Sequence, residues 1–259
     1  MSMIKTAEEI AILREGGAIL SRALGAAARA VHAGVTTIEI DRIARESMER
    51  EGARPSFFGY RISPEDPAFP STLCISINEE VVHGPATPSR VIQDGDIVGL
   101  DIGCWYQGLC TDMAMTVIVG HVSNEVALLV EDTRVALEAG IEVIEARKSV
   151  ADISGAIEDY LKPKGYGIVR DLVGHGVGHA VHEEPQIPNV RDRRLPNVAL
   201  QPGMVLALEP MVTLGGWGVD MKDDGWTIVT SDGSLSAHWE VTVAVTEDGF
   251  ELLTPWVEL

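Results

Sequence analysis

A chain of 259 residues, 46% hydrophobic and 23% charged, has the composition of a soluble globular protein and is long enough for one large domain or two small ones. Its net charge of −19 argues against a nucleic-acid surface, because phosphate backbones attract basic patches, so no DNA partner is expected. No N-terminal signal peptide and no run of about 18 apolar residues is found, so no membrane association is expected. The three cysteines, Cys74, Cys104 and Cys110, include no C-x-x-C pair and suit a reducing cytoplasm. The one compact basic cluster, Arg191, Arg193 and Arg194 around Asp192, reads as a solvated loop.

Thr6 and Glu9 form a capping box, and Ile10, Leu13, Gly17, Leu20, Leu24 and Ala27 then recur at helical spacing, predicting a long helix that ends near His32-Ala33-Gly34. Thr36 and Glu39 open a second, shorter helix closed by Gly52. Arg54 to Pro70 carries four prolines and reads as a loop of the kind that serves as a lid. Thr72 to Val82 is a strand-like run interrupted at Asn78-Glu79-Glu80, and His83-Gly84-Pro85 reads on its residues alone as a turn. Ile97 to Ile102 and Thr111 to Val119 form a hairpin joined by Gly103 to Gly108. That pairing sets Asp101 and Asp112 side by side across the ladder. Two carboxylates so placed repel unless a cation or a shared proton intervenes.

Ser123 to Arg147 predicts another long helix and Asp152 to Leu161 another short one. Placing Ile40 on Ile153 also places Glu51-Gly52 on Lys164-Gly165, an offset of 113 residues, which suggests two related halves. Gly174 to Pro185 follows, with His175, His179 and His182 among glycines and glutamates. Beyond the loop Ile187 to Asn197 and the turn Gln201 to Met204, Val205 to Leu208 is a strand running into Glu209. Gly215 to Asp224 reads as a Gly-rich turn region, and Trp226 to Thr230 and Ala237 to Thr246 as strands, the last carrying Glu240 in apolar company. Four carboxylates and one imidazole are more donors than one open metal site needs, and they suit two divalent ions about 3.5–4 Å apart. The chemistry implied is hydrolysis of an amide or ester, with His83 and His182 left to steady charge or hold substrate.

Gly174-His175-Gly176, His182-Glu183-x-Pro185, Glu209-Pro210-Met211, Met221 to Trp226 and Glu240, in this order and spacing, resemble type I methionine aminopeptidase over essentially the whole chain. The resemblance implies an α+β pita-bread fold, two pseudo-symmetric halves around a curved antiparallel sheet. The chain then reads as one catalytic domain, 1–259, with halves of roughly 1–120 and 121–259. The resemblance further implies Asp101, Asp112, His175, Glu209 and Glu240 as ligands of two divalent ions (Co, Mn, Fe or Zn), with Asp112 and Glu240 bridging. An activated water would attack the carbonyl of the N-terminal methionine of nascent peptides while Glu209 shuttles the proton. His182 would stabilise the oxyanion, and His83 would contact the scissile amide. Tyr60, Phe69, Cys74 and Trp226 would line the methionine pocket, with a preference for a small second residue. A cytoplasmic monomer with at most a transient ribosome contact is the corresponding expectation.

Departures from the family pattern gather near that pocket: Val181, Phe57, the longer loop Arg61 to Ala68, and Val241 after Glu240. His121, His179 and His238 carry no implied role. An Xaa-Pro aminopeptidase or prolidase shares ligands and fold but usually adds a large N-terminal domain, for which the helix starting at Thr6 leaves no room. A type II methionine aminopeptidase would need a helical insertion that the 26 residues between His182 and Glu209 cannot hold. A metal-free pita-bread binding protein is the rival from another class, and the full ligand set argues against it.

Overall fold

The computed structural model describes residues 2–61 and 63–259, so Met1 and Ile62, the latter inside the loop Arg61 to Ala68, lie outside the described residues. The Thr6 hydroxyl accepts from the Glu9 N–H and the Glu9 carboxylate accepts from the Thr6 N–H, capping helix α1 (Ala7–Arg29). Such a cap stabilises a helix by about 1 kcal/mol. The helix stops three residues short of His32, because the Ala30 and Val31 N–H groups fold back on the Ala27 and Ala28 carbonyls. Helix α2 (Thr37–Arg50) starts at the Thr36–Glu39 box and buries Ile40, Ala44 and Met48.

Strands β1 (Arg54–Pro55), β2 (Leu73–Ile77), β3 (Glu80–Val82), β4 (Ile97–Tyr106) and β5 (Leu109–Ile118) follow. All but β3 join one antiparallel sheet. The β4–β5 connection is shorter than predicted: only Gln107 and Gly108 turn, both at positive φ, so Trp105 and Tyr106 continue the ladder opposite Cys110 and Leu109. The register also corrects the side-by-side placement of the two aspartates. Asp101 pairs with Ala114 and Asp112 with Gly103, so the acids are diagonal neighbours two positions apart. They still share a face, because strand side chains alternate with period two.

Helix α3 (Asn124–Glu142) is shorter than the predicted span to Arg147, which instead adopts φ 87° in the connection to helix α4 (Val150–Leu161). The offset of 113 residues that carries Ile40 onto Ile153 also carries Thr36 onto Ser149 and Glu39 onto Asp152. Both pairs form capping boxes, and both isoleucines are fully buried. Thr36 and Ser149 each make an isolated antiparallel bridge, to Val91 and Ala199.

The remaining strands are β6 (Gly167–Ile168), β7 (Gly174–Gly176), β8 (Glu183–Ile187), β9 (Val205–Leu208), β10 (Met211–Thr213), β11 (Val219–Met221), β12 (Ile228–Thr230), β13 (Ser236–His238), β14 (Val241–Thr246) and β15 (Gly249–Leu252). They form a five-stranded sheet, β15-β14-β9-β7-β8, and two three-stranded ones, β13-β10-β6 and β11-β12-β3. Strand β11 lies inside the segment predicted as a turn, where it pairs with β12. Strand β12 starts two residues late because the Trp226 and Thr227 N–H groups are taken by the Asp224 carboxylate. The predicted strand Ala237 to Thr246 is broken at Trp239-Glu240, as β9 and β10 are broken at Glu209-Pro210. At both breaks the chain passes from one sheet to another, and the register Leu208↔Val241 and Met211↔His238 on either side sets Glu209 opposite Glu240. Glu240 in turn bridges Ala114 of β5, so this corner abuts the first sheet. One apolar core lies beneath α1 and α2 and a second beneath α3 and α4. A third, holding Leu13, Phe57, Phe69, Cys74 and Trp226, lies beside the corner.

Candidate active site

Two neighbouring positions dictate how His175 is presented. Gly176 follows it at a bulge between β7 and β8, where a Cβ would lie 2.2 Å from the Glu184 carbonyl oxygen, so no side chain fits. Gly178 adopts φ 138°, a conformation other residues resist, and its carbonyl accepts from the Cys110 N–H of β5. The His175 Nδ1 lies 2.9 Å from the Gly176 carbonyl oxygen. A carbonyl only accepts, so Nδ1 carries the proton and the Nε2 lone pair is free. Nε2 points at the corner, 3.5 Å from Glu209 Oε1.

Every residue expected at the site lines one cavity of about 250 Å³: Tyr60, Phe69, Cys74, His83, Asp101, Asp112, His175, His182, Glu209, Trp226 and Glu240, joined by Phe57. No Lys or Arg is among these lining residues. Ligand atoms of Asp112, His175 and Glu240 lie within 4.8 Å of one another. Asp112 Oδ1 and Glu240 Oε1 are buried without a hydrogen-bond partner among the described residues. Orphaned carboxylate oxygens beside a free imidazole nitrogen are costly alone and become satisfied when a divalent cation accepts them. The donor set, hard oxygens with one nitrogen, fits such an ion. Asp101 and Glu209 border the same three groups from β4 and from the β9–β10 break.

The electrostatics follow from burial and crowding. Burial lifts the Asp101 carboxyl to about 7. Asp112 is pushed well above its ordinary value by burial and then by the Asp101 and Glu209 charges, and Glu240 by burial and then by Asp112, Glu209 and Asp101. Glu209 rises through burial and Asp101. Cys74 sits opposite Asp101 in the β2–β4 ladder, and its thiol is raised by burial and by that acid. Burial and the neighbouring His182 lower His83 to about 4 and His175 to about 3, and burial also lowers His182. His83 holds φ 62°, an uncommon conformation for a non-glycine residue.

The apolar side of the cavity is closed by Phe57, Phe69 and Trp226, the last two packed edge to face with ring centroids 5.1 Å apart. Hydrogen bonds between Tyr60 and Phe69 and between Gly59 and Phe69 close the base of the proline-rich loop and hold both rings in the wall. Val181 is buried in the same cluster.

Three features were not foreseen. His238, read as a bland residue, is buried; its unpartnered Nε2 lies 3.7 Å from Glu209 Oε2, and its imidazole is lowered to about 3 by burial and by His83. Its place at the start of a predicted strand, two residues before Glu240, was the available signal. Lys5 is almost wholly buried, and its Nζ lies 2.6 Å from Glu183 Oε2 while Glu183 Oε1 accepts from the Ala180 N–H. The His179 ring lies 2.8 Å from Glu9 Oε1 of α1. These contacts tie the segment 178–183, which carries His182, to the start of the chain. Nothing local in the sequence marks a pair 178 residues apart.

The chain belongs to metallopeptidase family M24, which it matches over residues 11–247, and is thus a hydrolase by class. Within that family it is similar to the methionine aminopeptidases. It is 44% identical to the methionine aminopeptidase of Clostridium perfringens over 255 residues, 98% of this chain and 99% of that one. The crystal structure of the Thermotoga maritima methionine aminopeptidase superimposes with a TM-score of 0.92 at 40% identity, over 97% of this chain and 98% of that one. A prolidase from Pyrococcus furiosus shares the fold at TM-score 0.77 and 25% identity, and this chain covers 65% of it. The α+β pita-bread architecture expected from the sequence is the fold these proteins share. Among the described residues no helix is long and apolar enough to cross a membrane.

Proposed function

We propose that this chain removes the N-terminal methionine from nascent proteins as a dinuclear-metal aminopeptidase, preferring a small second residue. One observation carries the reading: a buried group of four carboxylates and one imidazole, with no Lys or Arg among the described residues that line the cavity with it, shares that cavity with aromatic side chains. Asp101, Asp112, His175, Glu209 and Glu240 would hold the ions. When bound, the ions supply Lewis acidity toward a carbonyl oxygen and acidify a water molecule.

The remaining work falls to side chains. Phe57, Tyr60, Phe69, Cys74 and Trp226 enclose an unbranched thioether, whose flexibility and soft sulfur suit aromatic walls. Glu209 takes a proton from the water and delivers it to the leaving amine. His182 donates to the carbonyl oxygen as negative charge develops there, and His83 contacts the scissile amide. The preference for a small second residue rests on the family resemblance. So do a cytoplasmic location, a monomeric state and a transient contact with the ribosome. The related-halves reading of 1–120 and 121–259 is supported by the paired capping boxes at the offset of 113 residues.

The test is methionine release from Met-Ala-Ser and Met-Pro peptides, against Leu-Ala-Ser and Xaa-Pro controls. It uses chelated enzyme titrated with Mn, Fe, Co and Zn. Metal-dependent cleavage confined to Met peptides is expected. Cleavage of Xaa-Pro bonds whatever the first residue would move the chain to a prolidase-like activity. No cleavage with any metal would favour a binding protein.

A further inference from the structure

His175 has its tautomer set by a carbonyl. His182 has a different kind of partner: its Nδ1 lies 3.0 Å from the Tyr60 hydroxyl. The two rings meet edge to face, with centroids 5.5 Å apart and planes at 74°. The His182 ring also meets the His175 ring edge to face, with centroids 4.5 Å apart and planes at 76°. A hydroxyl can give or take a proton, and so can a neutral imidazole, but not with equal strength. A phenol is the better donor of the two, and an imidazole nitrogen is the better acceptor. Tyr60 is itself fixed, its N–H donating to the Phe57 carbonyl and its carbonyl accepting from Phe69, both at 2.8 Å. Burial raises the phenol above its ordinary value, so the hydroxyl keeps its proton. Among the described residues the Tyr60 hydroxyl has no other partner, and His182 Nε2 makes no hydrogen bond to protein.

We propose that Tyr60 is a positioning residue for His182 as well as a wall of the pocket. Its O–H donates to Nδ1 and so keeps the imidazole proton on Nε2, where it faces the cavity as a donor. The proposal rests on the reading of His182 as the group that donates to the developing oxyanion. It assigns to Tyr60 the part that a backbone carbonyl plays for His175, with the opposite sense: Tyr60 donates where the carbonyl accepts. One imidazole is thereby left with an Nε2 lone pair and its neighbour with an Nε2 proton.

The tautomer can be read directly by nitrogen-15 NMR of the zinc-loaded enzyme, zinc being a closed-shell ion without redox chemistry. The His182 signals are assigned by their loss in His182→Ala. Wild type is expected to carry the His182 proton on Nε2. Tyr60→Phe, which keeps the ring and removes the hydroxyl, is expected to show a mixture of tautomers. Its kcat should fall roughly tenfold with KM nearly unchanged, the usual scale for losing a group that orients a functional histidine. Combined with His182→Ala it should add no further loss. A wild-type His182 protonated on Nδ1 overturns the proposal, and so does a Tyr60→Phe spectrum identical to wild type. The spectrum does not depend on turnover. The expected tautomers in an enzyme that releases no methionine would therefore leave the Tyr60 assignment standing and remove the proposed function.

Discussion

Asp112→Asn should raise stability without metal and lower it with metal. In the metal-free protein Asp112 is 2% exposed, its Oδ1 unpartnered, with ligand atoms of Glu240 and His175 within 4.8 Å. Two unit charges at that separation repel by roughly 3.5 kcal/mol at an effective dielectric of about 20. Asparagine removes the charge, and burying its amide, even against acceptors such as Glu240 Oε1 and His175 Nε2, costs about 1–2 kcal/mol. The net gain is about 2 kcal/mol, or some 4–8 °C in Tm for a chain of this size. With metal at about 100 times its Kd, wild type gains about 2.7 kcal/mol that the variant forgoes, so the order reverses. Differential scanning calorimetry of chelated and metal-replete samples reads both states. A variant less stable than wild type in both, or two proteins responding equally to metal, would refute the reasoning.

Lys5→Met should cost about 3–5 kcal/mol, because it leaves the Glu183 carboxylate, whose side chain is 9% exposed, buried without its ammonium. Adding Glu183→Gln should recover most of that in urea melts, and no recovery would count against a buried ion pair. The pH dependence of the chelated protein follows from two opposed sets. Raised carboxyls (Asp101 at about 7, with Asp112, Glu209 and Glu240 well above their ordinary values) favour the fold below the unfolded pKa of about 4, and that stability is lost as pH rises through their folded values. Lowered imidazoles (His83 at about 4, His175 and His238 at about 3) favour the fold above about 6.5, and that stability is lost on acidification. The sets oppose each other between about pH 4 and 6.5, and above that only the carboxyls act. Urea midpoints of chelated enzyme should therefore fall from about pH 7 to 9, and a rise would contradict the raised carboxyls. Saturating metal should reverse the slope, since its binding displaces those protons.

The helices were legible because their signals are local: Thr6 with Glu9 and Thr36 with Glu39 lie within one turn, and the apolar stripe of α1 repeats over 23 residues. The residues of the cavity were legible because acids such as Asp101 stand out in apolar strands. Geometry at the corner was not. Glu209 and Glu240 read as strand residues because apolar runs flank them on both sides. Only the pairing of β9 with β14 and of β10 with β13 reveals the break between them. The diagonal of Asp101 and Asp112 depends on a turn two residues long, which neither acid encodes. His238 looked bland because its neighbour Glu209 is 29 positions away and reaches it only through that same break.

The seam at Glu240 has a kinetic meaning. Ala114 and Glu240 exchange backbone hydrogen bonds, and the Thr242 hydroxyl accepts from the Asp112 N–H and donates to the Asp112 carbonyl. Backbone amides and one hydroxyl therefore sew two sheets together at the place where the facing carboxylates push them apart. Any cation gripped by Asp112 from one side and Glu240 from the other closes a chain loop of more than a hundred residues, as a reversible cross-link would. Contacts so distant in sequence form late in folding, and stabilising late contacts slows escape from the native state more than it speeds arrival. The ion would then govern how long each folded molecule lasts, apart from any turnover it supports.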